Sequence, residues 1–173
     1  DWKNLYYWHP KEFVEILSKL WAYYHDNPNP LLAIVLMKIT KYFSYAELEF
    51  PKLYKSKVAV ERVKQLLSQN YEKLMKSMFN EEVEKLKRKV NEYRKLAKKV
   101  KGEVKGGVDI LSIDMPYADA VITSPPYLQA QEYIRTFKIE LHWLGYSDKQ
   151  IRELEKKEIP YNKVEKVKVN SEL

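Results

Sequence analysis

The chain has 173 residues, of which 45% are hydrophobic and 32% are charged, and its net charge is +7. This composition predicts one globular domain with a core of its own and excludes a disordered chain. Cysteine is absent, which excludes disulfides and thiolate metal sites, and three scattered histidines argue against a histidine metal centre. Neither a signal peptide nor an apolar stretch of membrane-spanning length is recognisable, so we expect a cytoplasmic protein.

The first part of the chain predicts helices. Aromatic residues crowd positions 2–8 and predict an edge strand or a lid on the core, with stacking on nucleotides as the alternative. Pro10 suits the first turn of a helix, in which apolar residues recur at helical spacing up to Tyr24. After a break at 27–30, residues 31–37 are apolar on every side, which predicts a helix buried among its neighbours.

The middle of the chain predicts two longer helices. Apolar residues step by three or four positions over residues 60–78 and again over residues 83–100. Between them, Asn80 is followed by two glutamates, which is typical of the start of a new helix. We therefore predict an antiparallel hairpin of two helices in preference to one continuous rod.

The second of these segments carries the charge of the chain. Residues 84–105 contain ten lysines and arginines and three glutamates, so their net charge of +7 equals that of the whole sequence. Such concentration favours a surface that faces nucleic-acid phosphates, and a solvated helix face is the alternative. No base-reading motif is present, so contacts to the backbone are expected. The candidate contact residues are Lys87, Arg88, Arg94, Lys95, Lys98 and Lys99.

A short apolar run at 118–122 leads into a tetrapeptide of Ser124, Pro125, Pro126 and Tyr127. The run predicts a buried parallel strand that ends in a loop, the place where ligands bind in open α/β sheets. Two consecutive prolines restrict φ and hold the residues before them extended. The carbonyl of Pro125 is therefore expected to point in a fixed direction. The alternative is a rigid turn between a strand and a helix.

The composition of this loop suits the recognition of an amino group. The hydroxyl of Ser124 and the carbonyl of Pro125 can accept its two hydrogens, and the ring of Tyr127 can stack on a flipped-out base. An aromatic amine is a poor nucleophile because its lone pair is delocalised into the ring. Hydrogen bonds from both hydrogens would draw the nitrogen toward tetrahedral geometry and free the lone pair.

The residues that follow the loop predict a helix over 128–145. Its apolar stripe is expected to be core and consists of Tyr133, Ile134, Phe137, Leu141 and Leu144. Gly145 is placed to end this helix, and Ser147 with Gln150 forms a capping box for the next one.

Residues 119–127 read Asp-Ala-Val-Ile-Thr-Ser-Pro-Pro-Tyr and resemble the catalytic motif of S-adenosylmethionine-dependent amino-methyltransferases that act on DNA bases. The serine form resembles the cytosine-N4 branch, whereas adenine-N6 enzymes more often carry Asp or Asn in its place. The resemblance continues through 108–111 and 133–145 and covers roughly the last 65 residues.

This resemblance implies DNA as substrate, S-adenosylmethionine as cofactor and methyl transfer to the N4 amino group of cytosine. It implies that Ser124, Pro125, Pro126 and Tyr127 are catalytic, with Ser124, Pro125 and Tyr127 on the base. It also implies that Asp109 is the candidate for the cofactor's adenosine. No metal is implied. Adenine-N6 or an RNA base is a close alternative, because the same two hydrogen-bond acceptors can bind any exocyclic amine. The alternative from another class is a non-catalytic helical module that binds nucleic acid or protein.

One part of the family pattern is missing. The chain has four glycines, none of them in the Phe-x-Gly-x-Gly turn that receives the cofactor's methionine. We therefore expect a central fragment or half of a split enzyme, with a second chain or missing segment supplying this turn. The expected fold is α/β, a partial Rossmann-like core with a large helical insertion, and mostly helical overall. Residues 1–105 form the helical region, 106–146 the catalytic α/β segment, and 147–173 a short helix and charged tail.

Overall fold

The computed structural model describes residues 2–49, 52–97, 102–106, 117–123 and 132–158. These residues are mostly helical. Within the described ranges there are eight helices, and the only β-pairing outside them is an isolated antiparallel bridge between Ala46 and Lys55. The helices are α1 (Leu5–Trp8), α2 (Lys11–Asp26), α3 (Pro30–Tyr42), α4 (Lys57–Leu67), α5 (Tyr71–Leu96), α6 (Tyr133–Thr136), α7 (Lys138–Trp143) and α8 (Asp148–Lys157). None of them is long and apolar enough to cross a membrane.

The predicted amphipathic helix after Pro10 is confirmed as α2. Its inner face buries four side chains, Phe13, Val14, Leu17 and Trp21. The indole Nε1 of Trp21 donates a hydrogen bond of 2.9 Å to Oγ1 of Thr40 on α3, so the buried polar atom is satisfied.

Helix α3 is central and packs against α2, α5 and α7. The side-chain oxygen of Asn29 caps it by accepting hydrogen bonds from the backbone of Leu31 and Leu32. The prediction that this helix is buried on all sides is wrong. Leu31 is 44% exposed and Ile34 is 55% exposed, because its described neighbours leave one face of the helix to solvent.

Helix α5 is one continuous helix of 26 residues that passes through Asn80. The predicted hairpin with a turn at this residue is therefore wrong. The break lies before Tyr71, where the Asn70 side chain accepts a hydrogen bond from the backbone of Lys73. The apolar spacing is unbroken from Met75 to Val83, so packing against α3 outweighs the small cost of one asparagine in a helix.

The main core lies among α2, α3, α4 and α5. The rings of Phe13 and Phe43 meet edge-on with centroids 5.1 Å apart. Around them lie the other buried side chains of this cluster, Leu17, Trp21, Val35, Leu36, Ile39, Val63, Leu66 and Met75. A smaller cluster of Ala46, Leu53 and Ile139 joins α7 to the loop after α3.

The predicted buried strand at 118–122 is not seen. Residues 117–123 form neither helix nor strand, and Val121 and Ile122 are 75% and 99% exposed. A strand needs a neighbour to satisfy its backbone groups, and the described part of the chain provides none for this segment. The predicted strand at 108–113 lies outside the described residues, so the Rossmann-like core stays a prediction.

Candidate functional site

Several predicted site residues lie outside the described residues. These are the loop residues Ser124, Pro125, Pro126 and Tyr127, the cofactor candidate Asp109, and the basic residues Lys98 and Lys99. The structure describes the helices that follow the loop and the basic half of α5. Within the described ranges, no group of three or more His, Cys, Asp or Glu side chains is arranged to hold a metal ion.

The helix predicted after the loop is divided at Phe137 into α6 and α7. The predicted core stripe is correct at Leu144, which packs against the main core, and wrong at its first two aromatic residues. Tyr133 and Phe137 are 39% and 44% exposed, whereas Ile139 and Glu140 are buried. The reason is that α7 packs on α3, where Lys41 lies near Glu140, and so turns its other side inward.

The stripe lines an apolar groove of about 290 Å³ on the surface of α3, α6 and α7. We call it the α7 groove. It is lined by Met37, Tyr133, Ile134, Phe137, Glu140, Leu141 and Leu144. The groove begins six residues after Tyr127 in the sequence, so it directly follows the candidate catalytic loop.

A buried carboxylate lies beside the α7 groove. Oε1 of Glu140 is 3.8 Å from Nζ of Lys41, and Oε2 is buried with no hydrogen-bond partner among the described residues. Burial raises the pKa of Glu140, and the positive charge of Lys41 offsets this only in part. Sequence reasoning missed this residue because a single glutamate in an amphipathic helix gives no sign that its position is buried.

We expect Glu140→Gln to stabilise the protein at pH 7. When folding raises the pKa of a carboxyl group, the free energy of unfolding of the protein falls as the pH rises and that group ionises. The loss is about 1.4 kcal/mol for each pH unit by which the pKa is raised. The amide cannot ionise, so the advantage of the variant should vanish near pH 4. Urea unfolding at both pH values measures this, with the exposed Glu153→Gln as control. Destabilisation by Glu140→Gln at pH 7 would contradict the assignment.

All three histidines lie at the end of α7: His142 belongs to this helix, and His9 and His25 contact Trp143. Nε2 of His9 accepts a hydrogen bond of 3.2 Å from the indole N–H of Trp143. Because an indole only donates, the other nitrogen, Nδ1, carries the proton and donates to the carbonyl of Phe43 at 2.9 Å. Burial lowers the pKa of His9 to about 4. This neutral ring therefore joins α1, α3 and α7.

The other two histidines strengthen this attachment. Nε2 of His25 lies 3.1 Å from the carbonyl oxygen of Trp143. The ring of His142 stacks on Trp2 at 4.5 Å and lies 3.3 Å from Asp148 on α8. Burial lowers the pKa of His142. The lid predicted for the aromatic residues of the N-terminus is thus present in part, while Tyr6 and Tyr7 are exposed.

The end of α7 and the start of α8 follow the sequence prediction. Gly145 ends the segment with φ of +97°, a conformation that favours glycine. Ser147 and Gln150 form the predicted capping box. Helices α7 and α8 are therefore joined by a defined turn and follow the candidate loop in the sequence.

The C-terminal half of α5 presents the described basic residues to solvent. Lys87 pairs with Glu84 at 2.7 Å. Arg88, Arg94 and Lys95 make no ion pair with any residue in the part of the chain that the structure describes. Their role on nucleic acid stays a prediction.

A second apolar groove, of about 390 Å³, lies between the first turn of α3 and the basic half of α5. We call it the α3–α5 groove. Its lining residues are Asn29, Leu31, Leu32, Val35, Val83, Leu86, Lys87, Val90, Asn91 and Arg94. Sequence reasoning missed it because its two walls are far apart in the chain and meet only after folding.

Comparison with known proteins gives one partial match. A stretch of 36 residues, which is 21% of this chain, is 58% identical to the Type II methyltransferase M.BsoBI of Geobacillus stearothermophilus. The match spans only 7% of the length of that protein. No family model matches the chain, and no solved structure matches it. Over this stretch, the chain is related in sequence to a Type II methyltransferase.

Proposed function

We propose that this chain carries the base-binding loop of a DNA methyltransferase that modifies the exocyclic N4 amine of cytosine. The 58% identity to a Type II methyltransferase carries the proposal, although the match is short. The tetrapeptide from Ser124 to Tyr127 refines it, because its serine resembles the cytosine-N4 form. Adenine-N6 and RNA bases are the nearest alternatives.

In this proposal, the loop prepares the amine for attack. Ser124 and the Pro125 carbonyl accept its two N–H groups, and Tyr127 stacks on the base. S-adenosylmethionine would supply the methyl group on a sulfonium, an activated leaving group that needs no metal. Neither of the two grooves described above presents an exposed carboxylate for the ribose of this cofactor. The resemblance assigns the adenosine of the cofactor to Asp109, which lies outside the described residues.

The α7 groove fits the proposed α/β fold. Its exposed rings, Tyr133 and Phe137, occupy a face predicted from sequence to be core. We assign this face to the partial Rossmann-like sheet, which would cover the apolar surface beside the catalytic loop. The histidine contacts of α7 would then fix the loop relative to the helical region.

The proposal also assigns the outer face of α5 to DNA phosphates. Arg88 and Lys95 lie seven residues apart, on one side of the helix, and have no described ion-pair partner. Their contacts would be independent of sequence and would weaken as salt displaces the protein from the phosphates.

We expect the double substitution Arg88→Glu and Lys95→Glu to weaken duplex binding at least about tenfold and to lower the salt slope by about 1 to 2. Fluorescence anisotropy with a labelled duplex between 50 and 200 mM salt measures both quantities. The control is Lys73→Glu with Lys76→Glu, which makes the same charge change on the N-terminal half of the same helix. Equal losses from the two pairs would contradict the assignment.

A non-catalytic helical module is the second candidate, and the exposed basic half of α5 is the observation that favours it. Calorimetric titration with S-adenosylmethionine separates the two functions. Saturable binding by the protein supports the methyltransferase. Absence of binding, together with salt-sensitive DNA binding, supports the module or a split enzyme whose glycine-rich turn is supplied by other polypeptide.

A further inference from the structure

The α3–α5 groove results from a difference in helix length. Helix α5 has 26 residues and α3 has 13, and the two run antiparallel. Lys38 near the end of α3 pairs with Glu82 at 2.6 Å, whereas Leu31 at its start lies beside Val90. The last turns of α5 therefore extend past the start of α3, and the surface between them is open.

The floor of this groove is apolar. Val83, Leu86 and Val90 lie at helical spacing on α5 and are only half-buried. On the α3 side, Leu31 is 44% exposed and Leu32 is half-buried. Exposed apolar surface of this kind, bordered by polar residues, marks interaction sites in soluble proteins.

The rim of the groove is positive. Lys87 and Arg94 border it on α5, and the amides of Asn29 and Asn91 are the other polar lining groups. Lys87 also pairs with the exposed Glu84 at 2.7 Å, so an occupant would share its charge with that carboxylate. No carboxylate lines the groove, and Arg94 has no ion-pair partner in the described ranges. An occupant with negative charges at its edges would therefore be attracted, and a positive one would be repelled.

We infer that the α3–α5 groove docks an acidic amphipathic helix of another protein. The apolar face of such a helix would cover Leu31 and Val90, and its flanking carboxylates would reach Lys87 and Arg94. The groove extends along α5 from Val83 to Arg94, a distance of about 17 Å, which corresponds to three turns of a docked helix.

Two other occupants fit the groove less well. A nucleic-acid backbone would satisfy the positive rim but leave the apolar floor uncovered. A second copy of this chain would bring another basic α5 against the same rim, because residues 84–105 carry a net charge of +7. Of these three occupants, only the acidic helix complements both the apolar floor and the positive rim.

A synthetic helical peptide of about 18 residues tests the inference, with leucine on one face and glutamate on the other. We expect saturable binding by fluorescence anisotropy, weakened at least about tenfold, or 1.4 kcal/mol, by Leu31→Glu. The matched control is Val58→Glu, which makes the same kind of change at an exposed apolar position on α4, outside this groove. Circular dichroism establishes that both variants fold.

A second pair of variants separates this site from the DNA surface. Arg94→Glu should weaken binding of the acidic peptide. Arg88→Glu, on the outer face, should leave peptide binding unchanged and weaken DNA binding. No binding of the peptide, equal binding of a lysine version, or no effect of Leu31→Glu would overturn the inference. Self-association abolished by Leu31→Glu would assign the groove to a second copy instead. Each of these results is independent of methyl transfer.

Discussion

Replacing Ser124 by alanine is expected to lower the rate of methyl transfer by about 100-fold or more. The hydroxyl is one of two acceptors proposed to hold the target amine, and loss of one such polarising hydrogen bond costs about 10² to 10³ in rate. Binding of S-adenosylmethionine should be little changed, because the serine is assigned to the base. Transfer of labelled methyl groups to unmethylated DNA measures the rate, and calorimetry measures cofactor binding.

Ser77→Ala is the matched control for this substitution. Ser77 is exposed on α5, and its hydroxyl donates to Glu81 at 3.2 Å, far in sequence from the loop. Its removal should leave the rate within about twofold of the unmodified protein. Equal activity of the Ser124→Ala and Ser77→Ala proteins would show that Ser124 does not hold the amine.

Acidification from pH 7 to pH 5 is expected to lower the free energy of unfolding by about 2 kcal/mol through His9 alone. Burial holds the pKa of His9 at about 4, below its ordinary value of 6.5. The unfolded chain therefore takes up the proton first, and stability is lost as the pH falls from 6.5 toward 4. The buried ring of His142 contributes in the same direction.

Urea unfolding at several pH values measures this loss. The His9→Gln protein should be less stable at pH 7, because hydrogen bonds to Trp143 and Phe43 are weakened, but it should lose less stability on acidification. His25→Gln, at an exposed position, should retain the pH dependence. An unchanged slope in His9→Gln would contradict a buried neutral ring at this position. Because His9 holds the end of α7, methyl transfer should fall over the same pH range.

The features predicted correctly from sequence are those set by local chemistry. Pro10 and the apolar spacing after it were sufficient to predict α2, because one inward face determines an amphipathic helix. Gly145 and Ser147 likewise marked the end of α7 and the start of α8, because capping depends on a few adjacent residues.

The features predicted wrongly depend on distant neighbours. Asn80 has the local character of a helix start, but packing against α3 carries α5 through it. The stripe of Tyr133 and Phe137 has the spacing of a core face, yet the described helices bury Ile139 instead. The apolar residues 118–122 lack a neighbouring strand in the described part of the chain. Sequence periodicity shows that a face is apolar but not which partner covers it.

The chemistry of the candidate site could be predicted from the sequence, but the contacts that surround it could not. The tetrapeptide from Ser124 to Tyr127 suggested an amine-binding loop because serine and proline have restricted and recognisable roles. The proximity of Glu140 to Lys41 and the groove beside Leu31 depend on contacts between segments far apart in the chain. Only the folded structure brings such groups together.

The identity of the methylated base tests the central claim most directly. The protein, together with the second chain or segment that supplies the glycine-rich turn, is incubated with S-adenosylmethionine and unmethylated DNA, the DNA is digested to nucleosides, and the products are identified by mass spectrometry. The account predicts N4-methyl-deoxycytidine, which should be absent when Ser124→Ala replaces the unmodified protein. N6-methyl-deoxyadenosine in its place, or no methylated nucleoside at all, would contradict the account.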